Sequence, residues 1–495
     1  MYKFVNIDMQ NFIGFRLLVL LLLVFALAAC ASAPQPPSAT SDPPPEPPAA
    51  PTDPPPAPND DAGDEGDDTR GLSDAPEPED DPDRAASESR TERRGPDAVR
   101  RAQLAERDPL AALLATMSRE QKVGQLIMPG MVFAADGRPL TVMDERLRRM
   151  MTEVQPGGFI LFGQNIRDAE QLRSLIRDLQ STARIPLIIA TDQEGGLVTR
   201  VRPGPGMPVT ELPAARTVGQ TGDPSLAFEL GRVIGRELAA LGITMNFAPV
   251  ADVLTNPGNA VIGTRAYGRD PETVGRLVAA TVRGMQREGV SAVVKHFPGH
   301  GDTADDSHTA AVTLPHDLER LLAVELPPFR RAVDAGVDGV LTGHIAVPNV
   351  SGTSLPATLD ATLLTGLLRE RLGFPGVIVT DSLTMGAISG RYGEREIAVR
   401  ALAAGVDLLL RPPRPELTRD LLLEALQSGD LSERQVDEAV RRVLELKVRR
   451  GLLVVGAEGL RPVPAAQLVP DEPLAERVEH RAIVDEIRSR GGGQP

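Results

Sequence analysis

Eight short apolar runs recur along the chain, each followed by a longer amphipathic segment, and this alternation restricts the fold more than any other feature. The runs lie at Gln125 to Pro129, Gly158 to Phe162, Pro186 to Thr191, Thr244 to Val250, Ala292 to Lys295, Gly339 to Thr342, Val377 to Thr380 and Asp407 to Leu410. Strand-then-helix repetition predicts a parallel sheet covered by helices. Eight units fit a single closed (β/α)8 barrel of the TIM type, an α/β fold, better than an open doubly wound sheet. The segments between the runs agree: Pro224 to Leu241 and Glu319 to Ala335 carry apolar residues at helical spacing. Helical pattern begins at Asp108-Pro109, and Ser118 with Gln121 has the spacing of a capping box. Ser432 with Gln435 repeats it, opening a helix through Lys447 with Val436, Val440, Val443 and Leu444 on one face.

Composition sets the limits of this unit. Sixteen of the 45 prolines fall between Ala31 and Asp83, a stretch almost without aliphatic residues and therefore expected to be disordered. Fifteen acidic residues against one Arg between Asp42 and Asp83 account for nearly all of the formal charge of -15. The rest of the chain is close to neutral, and no basic stripe with interleaved aromatics points to nucleic acid. Before the tether, Lys3 and Arg16 precede an apolar run from Leu17 to Leu27, too short for a comfortable membrane span, and then Leu27-Ala28-Ala29-Cys30. A basic start, an apolar core and small residues describe a secretory signal. The tetrapeptide resembles a bacterial lipobox, which would make Cys30 the lipid-bearing first residue of an exported, membrane-anchored protein. An incidental cysteine in an ordinary signal peptide is the alternative. The organisation read from sequence is therefore a signal peptide over 1–29, a Pro/Asp-rich tether over 30–106, a barrel over 107–454 and a C-terminal tail over 455–495. That tail has weak periodicity and is given no function.

In a barrel of this kind catalytic groups come from the carboxyl ends of the strands. The residues just past the runs are Asp192, Asp252, Lys295 with His296, His344, Asp381 and Arg411. Their common phase predicts one shared polar pocket. The string KHFPGHGDTADDSH, Lys295 to His308, follows the fifth run, and five of the six histidines lie between His296 and His344. His296 and His300 have the spacing of a zinc-binding helix, but Pro298, Gly299 and Gly301 predict a loop instead. A metal-dependent barrel hydrolase would also place a His-x-His pair at the first strand, where there is no histidine.

That loop, with TDQEGG from Thr191 to Gly196, GTRAYG from Gly263 to Gly268 and VTDSLTMGAI from Val379 to Ile388, resembles glycoside hydrolase family 3 in its bacterial β-N-acetylglucosaminidase branch. The likeness covers roughly Asp108 to Gly451. It implies a retaining, exo-acting enzyme with Asp381 as nucleophile, His308 as acid/base with Asp306 as its partner, and Asp192, Arg265, Lys295 and His296 holding the sugar. The implied substrate is a peptidoglycan fragment ending in N-acetylglucosamine, with no cofactor, no metal and no nucleic-acid partner. The compact branch it resembles is often cytoplasmic, so export rests on the N-terminus alone. Residue chemistry points the same way. A retaining glycosidase needs a carboxylate to attack the anomeric carbon and a second group to donate and then recover a proton. A His with a pKa of about 6.5 serves both proton transfers, and a carboxylate two residues away could orient it.

The alternatives are a β-glucosidase or β-xylosidase of the same family, a phosphorolytic N-acetylglucosaminidase, and a non-catalytic wall-binding lipoprotein. Against the first stands the Asp306/His308 pair, and against the last the presence of both catalytic groups. A monomer is favoured.

Overall fold

The computed structural model describes residues 108–303, 312–456, 459–472, 474–475 and 477–492. The signal peptide, Cys30 and the tether, and also Asp306 and His308, lie outside the described residues.

All eight runs contain strands, in the expected order: β1 (Ile127–Met128), β2 (Gly158–Ile160), β3 (Ile188–Thr191), β4 (Met245–Asn246), β5 (Ser291–Phe297), β6 (Gly339–Thr342), β7 (Val377–Thr380) and β8 (Leu409–Leu410). Strands β2 to β7 form one parallel sheet in chain order, and β1 pairs in parallel with β8. Two seams join these groups into a ring. Gly157 N and Ile160 N donate to Ile127 O and Pro129 O, each at 3.0 Å, and Thr380 N donates to Leu408 O at 3.0 Å. A closed parallel sheet has both faces covered, which is why its strands read as continuous apolar runs rather than alternating ones. Phe159, Phe247, Phe297, Ile127 and Met128 are fully buried.

The helices follow from their ends. Ser118 and Ser432 form the two expected capping boxes, opening α1 (Arg119–Gln125) and the closing helix Glu433–Arg449. Helix α4, as we number Pro224–Ala240, packs on α5 (Pro271–Arg287) through glycines: a Cβ on Gly284 would lie 2.1 Å from Phe228 O. The predicted helix Glu319 to Ala335 is broken, with a π-type turn at Leu321–Glu325 before Pro327–Asp334, because Pro327 and Pro328 cannot donate to the preceding turn.

The amino ends of the strands are closed by ion pairs. Asp338, before β6, pairs with Arg449 at 2.6 Å and with Arg450, while Asp407, before β8, pairs with Arg369 at 2.5 Å and Arg442 at 3.3 Å. Lys447 of the closing helix is fully buried, donating to Gln125 Oε1 at 2.6 Å, and burial pushes its ammonium down to about 7. Folding therefore opposes the charged form. The cost is present in full below about pH 7 and disappears as pH rises toward the unfolded value of about 10.5. Lys447→Met is expected to flatten the rise in stability between pH 7 and 10, measured by denaturant midpoints across that range. A slope unchanged by the substitution would refute this origin.

The C-terminal residues also join the barrel. Leu453–Gly456 and Gly459–Pro462 form an antiparallel hairpin, and Val478–Arg490 is a helix. That helix buries only His480, Val484 and Ile487, too few apolar positions for its periodicity to be read from sequence. His480 Nδ1 lies 2.9 Å from Glu237 Oε1, and Glu237 also accepts from Thr210 N and from Thr210 Oγ1 at 2.7 Å.

Candidate active site

A cavity of about 930 Å³ opens at the carboxyl ends of the strands. Asp192, Arg265, Lys295, His296, Asp381 and Arg411 line it. Asp252 and His344, expected in the same pocket, stand buried behind it instead.

The predicted run Ala292 to Lys295 continues to Phe297, so Lys295 and His296 are strand residues rather than the start of the loop. Adjacent residues of a regular strand face opposite ways. Here the register with β6 shifts between Val294 and Phe297, and both side chains line the cavity. A local bulge of this kind re-aims side chains beside functional sites.

Lys295 Nζ bridges two carboxylates, Asp192 Oδ1 at 2.8 Å and Glu194 Oε1 at 2.7 Å. Arg265 clamps the other side of Glu194, Nε to Oε2 and Nη2 to Oε1, both at 2.8 Å. Arg200 lies 3.6 Å from Asp192 Oδ2. Burial, the largest single influence, would raise both carboxyls, but Lys295 and Arg265 together, joined at Asp192 by Arg200, outweigh it and hold them below the usual carboxylate range. Burial would likewise lower Lys295, yet the two carboxylates raise it. The cluster is thus fully ionised and fixed, and it presents charged donors and acceptors to the cavity. Glu194 and Arg200 were not singled out from sequence. The signal was there in TDQEGG, since residues two apart in an extended segment share a face.

His296 stands on Asp252, with Nδ1 2.7 Å from Oδ2, while the backbone N–H groups of His296 and His300 donate to Oδ1 at 3.1 and 2.7 Å. Burial, then Arg265, keeps the imidazole well below its ordinary pKa, and burial raises Asp252 to about 6. At neutral pH the pair is a neutral imidazole on an anion, so Nδ1–H donates and Nε2 offers its lone pair to Arg265 Nη2, 3.4 Å away. An Asn at 252 that still served both backbone donors would turn its NH2 toward Nδ1, forcing the proton onto Nε2 and against Arg265. Asp252→Asn is expected to raise KM for the reaction in this cavity by roughly 10- to 100-fold. A KM within twofold of wild type would disprove the tautomer assignment.

Asp381 follows β7, with its backbone N–H on Thr342 O at 3.0 Å. Ser382 N donates to Oδ1 at 2.7 Å, and among the described residues nothing hydrogen-bonds Oδ2. The carboxylate is not the N-cap of the next helix, which starts at Gly386. Behind it, His344 holds Ser382 O at 3.1 Å and Thr358 Oγ1 at 2.8 Å. The residues flanking 304–311 are both buried: Thr303 Oγ1 is 2.5 Å from His300 Nδ1, and Val312 pairs in parallel with Ile345.

Arg411 completes the rim with an unusual backbone. Its φ of 50° is left-handed, a conformation that costs a side-chain-bearing residue on the order of 1–2 kcal/mol. Arg411 N donates to Met128 O at 2.8 Å, and the guanidinium lies 4.8 Å from the Phe162 ring centre.

A barrel mouth with an anchored carboxylate facing a fixed charge cluster is shared by several enzyme classes, and comparison with known proteins decides among them. Residues 118–446 match the family described as the glycosyl hydrolase family 3 N terminal domain. The chain belongs to glycosyl hydrolase family 3. Among family 3 relatives, it is 36% identical over 348 residues to the beta-hexosaminidase LpqI of Mycobacterium tuberculosis, covering 68% of this chain and 84% of that one. It is 35% identical over 336 residues to beta-hexosaminidase A of Pseudoalteromonas piscicida, covering 63% of this chain but only 56% of that longer protein. A family 3 β-N-acetylglucosaminidase structure from Paenibacillus is 43% identical with a TM-score of 0.68, over 76% of this chain and 69% of the other. The family 3 assignment and the closed parallel ring agree on an α/β barrel domain.

Proposed function

We propose that this chain is a retaining, exo-acting β-N-acetylglucosaminidase that removes terminal β-linked N-acetylglucosamine from peptidoglycan fragments. The activity is supported by the beta-hexosaminidase relatives and the Paenibacillus structure. The observation that carries the mechanism is Asp381, with one carboxylate oxygen tied to a backbone N–H and the other open to the cavity. Oδ2 attacks the anomeric carbon as the bond to the leaving oxygen breaks, and His308, oriented by Asp306, gives that oxygen its proton. His308 then takes a proton from water, which attacks the same carbon and frees Asp381. Asp192, Arg265, Lys295 and His296 hold the sugar. A slow fluorinated N-acetylglucosaminide is expected to leave one sugar on Asp381, seen as an added mass on its peptide. Label on another residue, or inverted product by NMR, would remove the mechanism.

The same reading places the enzyme in the cell envelope, exported by residues 1–29 and anchored through a lipid on Cys30, supported by the order of basic, apolar and small residues before that cysteine. A tether of about 75 residues reaches roughly 230 Å when extended and averages about 50 Å as a coil, enough to sweep a membrane-proximal shell. Cys30→Ala is expected to move the protein from the membrane to the soluble fraction. Retention of the variant on the membrane would count against the anchor.

A further inference from the structure

Two cations that line the cavity, Arg411 and the exposed Arg146, have no carboxylate partner among the described residues, and of the two only Arg411 stands at a strand end. Lys295, Arg265 and Arg200 are each matched to Asp192 or Glu194. Among the described residues no carboxylate pairs with Arg411, whose recorded side-chain contact is the face of Phe162. Burial is the only influence on its ionisation, and it acts to lower it, as for a cation lacking an anion. The backbone at this position is left-handed, which glycine or asparagine would adopt more readily, yet the residue is an arginine at the end of β8. Strain held at a cavity wall beside an unpaired charge is the pattern of a ligand contact.

The neighbourhood says which part of the substrate it meets. The fixed cluster comes from β5 and the segments that follow β3 and β4, whereas β8 follows β7 in the ring and Leu383 N donates to Leu410 O at 3.0 Å, which sets Arg411 beside the Asp381 turn. Phe162, under the guanidinium, orients it and leaves its N–H edges for an oxyanion.

Resting on the glycosidase reading, we propose that Arg411 is a specificity-determining residue that binds a carboxylate on the leaving group, the lactyl carboxylate of an N-acetylmuramic acid unit. In a fragment that still carries its stem peptide, that carboxylate is locked in an amide. The enzyme is therefore selective for peptide-free fragments, and a reaction that cleaves the muramyl amide must supply them.

The test uses the full-length chain and two disaccharides, N-acetylglucosaminyl-β-1,4-N-acetylmuramic acid and the same compound with the lactyl acid converted to a carboxamide. Wild type is expected to prefer the acid by about 10-fold or more in kcat/KM, the range of one charge-assisted contact. The ratio collapses toward one in Arg411→Asn, which tolerates the left-handed backbone, and is partly kept in Arg411→Lys. Equal rates for acid and amide with wild type overturn the proposal even if the Asn variant fails to fold, and so does an acid preference that survives in that variant. Inorganic phosphate yielding a sugar 1-phosphate, with the effect lost in Arg411→Asn, would overturn it in favour of an acceptor anion. A wild-type chain that cleaves neither disaccharide overturns the glycosidase reading itself.

Discussion

Asp381→Asn is expected to reduce turnover of a chromogenic N-acetylglucosaminide by roughly 10⁴-fold or more, the scale seen when a nucleophile acting in a concerted unit is removed. Asn fills the same space and can still accept from Ser382 N through its carbonyl oxygen, so the fold and the cavity should be retained. What is lost is the negative oxygen that forms the bond to carbon. The loss should fall on kcat, with KM little changed, because Asp192, Arg265, Lys295 and His296, the residues proposed to hold the sugar, are untouched. A small azide ion, which can occupy the vacated position, is expected to restore part of the rate to the smaller Asp381→Gly variant and to give a glycosyl azide of the opposite anomeric configuration. Asp381→Asn turning over within tenfold of wild type would remove Asp381 from the role proposed for it.

Glu194→Gln is expected to be the most damaging single change to the structure of the site. Glu194 and Lys295 have side chains only 3% and 4% exposed, and Glu194 is also clamped by Arg265. Removing its charge leaves Lys295 with Asp192 alone and takes from Arg265 its ion-pair partner. Breaking a buried pair from one side costs about 3–5 kcal/mol, since the remaining charge loses its compensation. The urea midpoint should drop accordingly, and kcat/KM should fall with it because Lys295 and Arg265 lose their fixed positions. Added salt is expected to recover little of either loss, because a cluster this buried is poorly screened. A midpoint equal to wild type would show that the cluster contributes binding geometry but not stability.

The barrel was legible because its strands are buried on both faces and so read as uninterrupted apolar runs, while Asp, Lys, His and Arg mark where the third to eighth strands meet the mouth. The phase of those residues located the cavity but not its depth. Asp252 and His344 share the phase of Asp381, yet they serve as supports, holding His296 and Ser382 from behind. Pro298, Gly299 and Gly301 predict a loop running from Lys295 onward, yet Lys295 and His296 are consecutive polar residues on a strand. The register shift that reconciles them depends on the neighbouring strand and leaves no mark in local sequence. That Arg411 has no carboxylate beside it among the described residues became visible only once the pairs of Arg200, Arg265 and Lys295 were known. The C-terminal helix escaped because its first buried position is a histidine rather than an apolar residue.

That helix bears on how the chain reaches its final form. The contact between His480 and Glu237 spans 243 residues, so it closes after nearly every other segment has been made and folded. A chain interrupted before Val478 would contain all eight strands and every residue assigned to the cavity, yet would bury the Glu237 carboxylate without its imidazole. Glu237 also secures Thr210, in the segment that runs on from Asp192, Glu194 and Arg200. The C-terminal helix is thereby coupled to the β3 side of the site. Hydrogen exchange along Val478–Arg490 would measure how readily that last step reverses while the barrel stays shut.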